Sequence, residues 1–385
     1  MTGNKKLGIG IVGLGSSKFM QIPALASFPN AEMIAGADPI KSNRDWVKEH
    51  YKIKRLYSDI DELLEDKEVD VVVIATMTYM HREHVIKAAK IKKHIMCEKP
   101  MAPIIADCDA MIKACQENDV ILMINYNKRF VECFKLAKDM IDEGVLGEIY
   151  EIDVCWTQSE HGRKMDSRGS LENLGGVYQD HGSHVIDLCR WWVGEVADVR
   201  GECLVGVLNS ERCVDDLAAA FIRHQNGTIV THHINLCDHR PNHEMYTISG
   251  NKATLTIGED ILGTQMRYFS VEPYKMLLYR NGKSVEDVTP HPYRGSEDYR
   301  WNIDCMKNEL FSFTRSMNHF IDCVLNGKRP LIDGQCGRKT IEVVQSVYYS
   351  AWKHETVTLP LKETPDLAKV LMEIKASKEN IARRD

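Results

Sequence analysis

The chain has 385 residues, 44% of them apolar, 27% charged and 8% aromatic, and a formal net charge of -6. That length exceeds one comfortable core and predicts two domains. With Lys and Arg scattered along the chain instead of gathered into a stripe, no nucleic-acid or membrane partner is expected. There is no charged-then-apolar leader and no apolar run of about eighteen residues, so a cytoplasmic location is expected. Twelve cysteines are present, but the closest two, Cys108 and Cys115, are seven residues apart. Without a C-x-x-C pair they read as free thiols, and no metal site is expected.

The first 125 residues alternate short apolar runs with helical stretches. Leu7–Leu14, Ala31–Ala37, Asp70–Thr76, His94–Cys97 and Val120–Ile124 are rich in Val and Ile with little polar alternation, as buried parallel strands are. Helical patterns fill the gaps at Ile22–Phe28, Ser42–His50, His81–Lys90 and Ala106–Asn118. Strand and helix in alternation predict a doubly wound α/β domain.

The literal G-x-G-x-x-G match, Gly8 to Gly13, falls inside the first strand and cannot be a phosphate loop. The loop must follow the strand, where Gly13, Leu14, Gly15, Ser16, Ser17 and Lys18 supply two of the three glycines and two hydroxyls. Asp38 ends the second strand about twenty residues on, where a carboxylate accepts from ribose hydroxyls and repels a 2′-phosphate. NAD is therefore the expected cofactor. Lys41 and Arg44 lie near that position and read as a solvated face. Next comes Cys97-Glu98-Lys99-Pro100, which sets a lysine at the carboxyl end of a parallel strand, where ligands of such sheets bind.

In the second half, Gly175 to Asp187 reads GGVYQDHGSHVID. On an α-helix Asp180, His184 and Asp187 would share one face, with Asp180 one turn before His184. A carboxylate so placed can orient an imidazole that takes a proton from substrate. Around it, Glu148–Gln158, Val199–Val207, Asp216–Arg223, Gly227–Leu236, Met245–Gly250 and Ala253–Ile257 have strand composition. Trp156, His161 and Lys164 precede the motif, and Trp191 and Trp192 follow it as expected core packing. His232 and His233 are adjacent on a strand and so face opposite ways, which argues against a shared metal. The tail, Thr364–Asp385, carries an apolar stripe at Leu367, Val370, Leu371 and Ile374.

Taken in order, the glycine loop, the ribose acid, Thr76 followed by His81, the CEKP segment and the GG-x3-D-x3-H-x2-D segment resemble the Gfo/Idh/MocA family of oxidoreductases. The likeness runs from about Leu7 to Pro360. It implies an NAD-binding Rossmann domain (1–125), a substrate-binding and oligomerisation α/β domain with a large, open, mainly antiparallel sheet (126–360), and here a helical extension (361–385). It further implies catalytic roles for Lys99, Asp180 and His184. Cofactor contacts are implied for Gly13, Gly15, Ser16, Ser17, Asp38, Thr76, His81, Glu98 and Lys99. Substrate contacts are implied for Tyr126, Arg129, Trp156, Asp180 and His184.

Two positions depart from the family pattern: Lys18 stands at the third glycine, and Met77-Thr78 stands where many relatives have Pro-Asn. The expected reaction is NAD-dependent oxidation of a secondary hydroxyl of a sugar, glycoside or cyclitol by a homo-oligomer, with C3 of a glucoside favoured. An inositol dehydrogenase, a glycosidase using transient oxidation and a non-catalytic NAD-binding regulator are the alternatives.

Overall fold

The structure is a computed structural model that describes residues 6–25, 29–51, 53, 55–159, 174–208, 214–239, 243–259, 274–290 and 312–382. His161 and Lys164 lie outside the described residues. The chain divides into two units, Met1–Phe130 with Tyr299–Arg338, and Val131–Asp298 with Lys339–Asp385.

Unit 1 is built on a six-stranded parallel sheet in the order β3-β2-β1-β4-β5-β6. Its strands are β1 (Leu7–Val12), β2 (Ala31–Ala37), β3 (Arg55–Tyr57), β4 (Val71–Ile74), β5 (His94–Glu98) and β6 (Leu122–Asn125). Between them run α1 (Gln21–Leu25), α2 (Lys41–Tyr51), α3 (Ile60–Leu64), α4 (His81–Lys90) and α5 (Ile105–Glu117). The four residues of β4 are all buried, as a strand covered on both faces requires. β3 and α3 escape the sequence reading because three and five residues are too few to show a period.

One helix from late in the chain, α8 (Ser312–Asn326), also belongs to this unit, a return that the linear domain reading lacks. Its apolar face explains the return: Met317, Phe320 and Ile321 join Ile22, Met96 and Met123 in one core cluster. Burying side chains of that size is worth about 1.5–3 kcal/mol each. Ile332 extends the same contact, accepting a hydrogen bond from Ile124 N at 2.9 Å on the free edge of β6.

Unit 2 is built on a nine-stranded sheet in the order β14-β13-β12-β11-β7-β10-β9-β8-β15. The strands are β7 (Ile149–Thr157), β8 (Val196–Val205), β9 (Asp215–His224), β10 (Ile229–Asn235), β11 (His243–Gly250), β12 (Thr254–Glu259), β13 (Tyr274–Tyr279), β14 (Glu286–Asp287) and β15 (Val357–Thr358). All neighbours pair antiparallel except β7 and β10. β9 shows the period of two: Ala218, Ala220 and Ile222 are buried, while Phe221 and Arg223 are exposed.

The helices of this unit are α6 (Glu132–Asp142), α7 (Ser183–Val193) and α10 (Leu367–Ala382), with most of α9 (Gly334–Lys353). Trp192 fulfils the core expectation, its ring tilted against Phe134 and edge-on to Tyr246, and it donates from Nε1 to Phe134 O at 3.2 Å. The tail stripe is buried too: Leu367, Val370, Leu371 and Ile374 are at most 3% exposed. Among the described residues no helix is long and apolar enough to cross a membrane.

Two predictions follow from this packing. Leu371 has no exposed surface, so Leu371→Ala should lower stability by about 2–5 kcal/mol, measured by denaturant unfolding.

Burial also holds three histidines neutral, His81 and His224 pushed down to about 4 and His232 to about 3. A base with a depressed folded value binds its proton first in the unfolded chain, so its stabilisation is lost as pH falls from about 6.5 toward 4. Asp215, pushed up to about 6 by burial, acts in the opposite sense over the same window but is a single group. The melting temperature should therefore fall between pH 6.5 and 4, and His232→Asn should flatten that slope. A melting curve unchanged across the window would contradict it.

Candidate active site

In unit 1 the chain leaves β1 through Gly13, whose φ of +92° suits glycine. A Cβ there would lie 2.4 Å from Ala75 O, so the position is closed to any side chain. At Gly15 an added Cβ would meet nothing within 4 Å. The loop is thus packed on its strand side and open beside Gly15, as a backbone that approaches a pyrophosphate must be. Ser17 turns its hydroxyl inward to donate to Gly13 O, while Ser16 is exposed.

Asp38 directly follows β2 and is 6% exposed. Its Oδ2 accepts from Leu14 N at 2.7 Å and from Asn43 Nδ2 at 3.2 Å, and its Oδ1 accepts from Ile40 N at 2.8 Å. The acid expected at the ribose therefore also fastens the glycine loop. Lys18 reaches away from the strand, donating to Asn43 Oδ1 at 3.3 Å and lying 5.3 Å from the centre of the Trp46 ring. That excursion is how the chain accommodates a long side chain where a third glycine is usual. Arg44 donates to the carbonyls of Asp38 and Pro39, and Lys41 pairs with Asp45. Both cations that could attract a 2′-phosphate thus have partners of their own.

At the ends of β4 and β5, His81 is 1% exposed, with Nε2 3.1 Å from Thr76 O and Nδ1 3.1 Å from Pro100 O. It ties the two strand exits together from within instead of presenting a group to solvent. Thr76 Oγ1 lies 3.1 Å from His84 Nδ1. Glu98 Oε1 accepts from both Gln21 Nε2 and Asn125 Nδ2 at 2.6 Å, and Asn125 Oδ1 accepts from Ser316 Oγ at 2.6 Å. Burial pushes the Glu98 carboxyl up while those two donors pull it down. Glu98 thereby fixes the backbone from which Lys99, half-buried, projects.

Two residues expected at substrate do not present their side chains to solvent. Tyr126 has no exposed surface at the end of β6. Arg129, 6% exposed, directs its guanidinium to Cys336 Sγ at 3.0 Å.

In unit 2, the segment before α7 is a π-helical turn, Tyr178–Gly182. Such a turn holds one residue more than an α-turn, so the α-helical spacing rule does not carry across it. The Asp180 carboxylate lies 3.6 Å from Nδ1 of His181, the histidine next in sequence, which the spacing argument passed over. Trp156, on β7, sets its ring edge-on to His181 at 4.5 Å between centroids and 6.3 Å from the His184 ring. Both histidines are 7% exposed, and Asp187 is fully buried. Trp156, Asp180, His181 and His184 therefore form one group, in which His181 is the member that the sequence reading missed. No α-helical period can disclose it, because the extra residue belongs to the turn.

Among the described residues no group of His, Cys, Asp and Glu could hold a metal ion. His232 is buried against Tyr178 while His233 is exposed beside Cys155, the opposite facing expected of neighbours on a strand.

The glycine loop, the acid after β2 and the strand order define an NAD-binding α/β protein joined to a second, mainly antiparallel sheet. Residues 7–126 match the oxidoreductase-family model for the NAD-binding Rossmann fold, and residues 134–256 match the C-terminal domain model of the same family. The chain belongs to the Gfo/Idh/MocA oxidoreductase family, and it is an NAD-dependent oxidoreductase.

It is 25% identical over 340 residues to a myo-inositol 2-dehydrogenase of Thermotoga maritima, covering 86% of this chain and 92% of that one. It is 24% identical over 377 residues to a 2,7-anhydro-N-acetylneuraminate hydratase of Mediterraneibacter gnavus, covering 92% and 97%. A levoglucosan dehydrogenase solved with NADH shares the fold with a TM-score of 0.80 at 21% identity, over 92% of this chain and all of that one.

Asp38 generates a prediction with two readouts. Asp38→Ala should weaken NAD binding at least tenfold, about 1.4 kcal/mol, and narrow the gap between NAD and NADP. Calorimetric titration of both cofactors decides it, and equal affinities in the unaltered enzyme would refute the ribose assignment.

Proposed function

We propose that this enzyme oxidises a secondary hydroxyl of a sugar or glycoside, with C3 of a glucoside as the preferred position. The observation that carries the reading is the grouping of Trp156 with Asp180, His181 and His184. An aromatic ring suits the CH face of a pyranose, and a carboxylate beside an imidazole suits its hydroxyls.

In this reading Asp180 accepts hydrogen bonds from substrate hydroxyls. His184, neutral, takes the proton of the reacting hydroxyl on a ring nitrogen. Lys99 is assigned to the nicotinamide ribose and to the substrate oxygen, where a compact ammonium favours negative charge developing during oxidation. NAD, when bound, supplies the acceptor for the hydride that leaves the carbinol carbon. Gly13, Gly15, Ser16, Asp38, Thr76 and Lys99 are the residues proposed to hold it, with Ser17, His81 and Glu98 holding those residues in place.

A cyclitol is the second reading, favoured by the myo-inositol 2-dehydrogenase relative, whose likeness spans most of both chains. Transient oxidation within a longer reaction is the third, and a regulator without turnover the fourth. The enzyme is proposed to act in the cytoplasm. It is placed there as a homo-oligomer, for which the exposed Phe221 and Ile229 on the outer face of the unit 2 sheet supply apolar surface.

A panel of glucosides, free sugars and inositols, followed by nicotinamide absorbance with the new ketone located by NMR, tests the reading. Turnover of inositols alone would transfer the assignment to the cyclitol class. His184→Ala should retain NAD affinity and lose about 10²-fold or more in kcat on the best substrate. Near-normal oxidation by that variant would overturn the role given to His184.

A further inference from the structure

Backbone N–H groups at the start of a helix have no partner within it and must find one elsewhere. In the π-helical turn that leads into α7, Tyr178 N donates to Asp215 Oδ2 at 2.8 Å, and Gln179 N donates to the Tyr348 hydroxyl at 3.1 Å. The Tyr348 hydroxyl donates in turn to Asp215 Oδ1 at 2.6 Å. A carboxylate at the start of β9 and a phenol from the middle of α9 thus close a clamp on two successive amides of the turn. The clamp is buried: Asp215, Tyr348 and Tyr178 are 0% exposed.

Its fit leaves no slack. A Cβ added at Gly176 would lie 2.1 Å from Asp215 O and 2.3 Å from Asp215 Oδ1, so the chain comes closer to the carboxylate than any residue but glycine permits. Behind the turn, the Tyr178 hydroxyl lies 3.2 Å from His232 Nδ1, which anchors the far end of the same side chain. Burying a carboxylate is unfavourable unless it is well hydrogen-bonded, and here each oxygen has a donor. Apolar residues of equal volume would serve stability as well. They would not offer two acceptors to the amides of the turn.

We propose that Asp215 and Tyr348 are positioning residues of the active site, holding the turn wide so that Asp180, His181 and His184 leave the backbone in the directions observed. This rests on the reading of Asp180 as a substrate ligand and His184 as the base. An α-helix advances by 100° per residue, so relaxation of the wide turn into α geometry would re-aim Asp180 relative to the residues of α7. The clamp opposes that relaxation because it pins the first two residues of the turn to β9 and α9, so that the start of the turn cannot rotate freely. Reorientation of about 1 Å at the reacting groups is enough to lower turnover by a large factor.

Tyr348 has a neighbour that makes the test specific. Tyr349 is the next residue on α9 and is 2% exposed, but its hydroxyl goes to Pro365 O and Gln345 Oε1, away from the turn. Tyr348→Phe and Tyr349→Phe each remove one buried hydroxyl from the same helix. Melting temperature, NAD affinity, kcat and KM, and histidine-selective NMR spectra of the full-length protein should be recorded for both. The two variants should lose comparable thermal stability and keep NAD affinity. Tyr348→Phe alone should lose about tenfold or more in kcat and move the ring resonances of His181 and His184.

Asp215→Asn, which keeps one acceptor of two, should show the same changes to a lesser degree, and it stands in for Tyr348→Phe if that protein does not fold. A Tyr348→Phe enzyme with normal kcat and unmoved histidine resonances overturns the proposal. So does Tyr349→Phe if it reproduces the full effect. If the unaltered enzyme oxidises nothing on the substrate panel, the reading of function fails, and the histidine spectra decide the positioning role by themselves.

Discussion

A backbone amide exposed at a strand-to-helix junction needs an acceptor, and at both junctions that matter here the acceptor is a carboxylate brought by a different strand. Asp38, from the end of β2, takes Leu14 N in the glycine loop. Asp215, from the start of β9, takes Tyr178 N in the turn before α7. In each case a glycine lets the chain approach closely, Gly13 against Ala75 and Gly176 against Asp215. Loops held in this way behave as parts of their sheets, and the precision of a site built on them is that of the sheet.

The supporting layer within unit 1 follows the same logic. Gln21, Glu98, Asn125 and Ser316 form one hydrogen-bonded line from α1 through β5 and β6 to α8. Lys99 follows Glu98 directly, so the backbone that carries the cation is braced on both neighbouring elements. His81 packs between Thr76 O and Pro100 O, and as a neutral imidazole it donates to one of the two. Several residues that a motif comparison assigns to ligand contact are also engaged in bracing the segments that carry it. Motif position and contact are different properties, because selection for a fixed loop and selection for a ligand both fall on the same short segment.

What was legible in the sequence were the features with a local cause. β2 and α4 run over the expected residues, because a short apolar run and an amphipathic ten-residue stretch each carry their own local signal. The stripe at Leu367, Val370, Leu371 and Ile374 identified a docked helix for the same reason. Features that depend on distant partners were not legible. The return of α8 to unit 1 depends on Met317 and Phe320 meeting Met96 and Met123 across some two hundred residues of chain. The burial of Tyr126 and Arg129 is likewise decided by neighbours that no spacing rule includes.

The turn at Tyr178–Gly182 shows most plainly where sequence reasoning stops. Asp180 and His184 were identified by four-residue spacing, which presumes an α-helix. One extra residue in the turn changes the angular relation between them and brings His181 to the Asp180 carboxylate. Nothing within the segment determines that choice, since an α-turn would be the ordinary outcome for the same residues. The wide turn persists where outside groups hold its amides, and the groups that do so, Asp215 and Tyr348, lie 37 and 169 residues away from the amides they hold. The angle between an acid and its imidazole is thereby a tertiary property of this chain, and a substitution far from both can alter it without touching either.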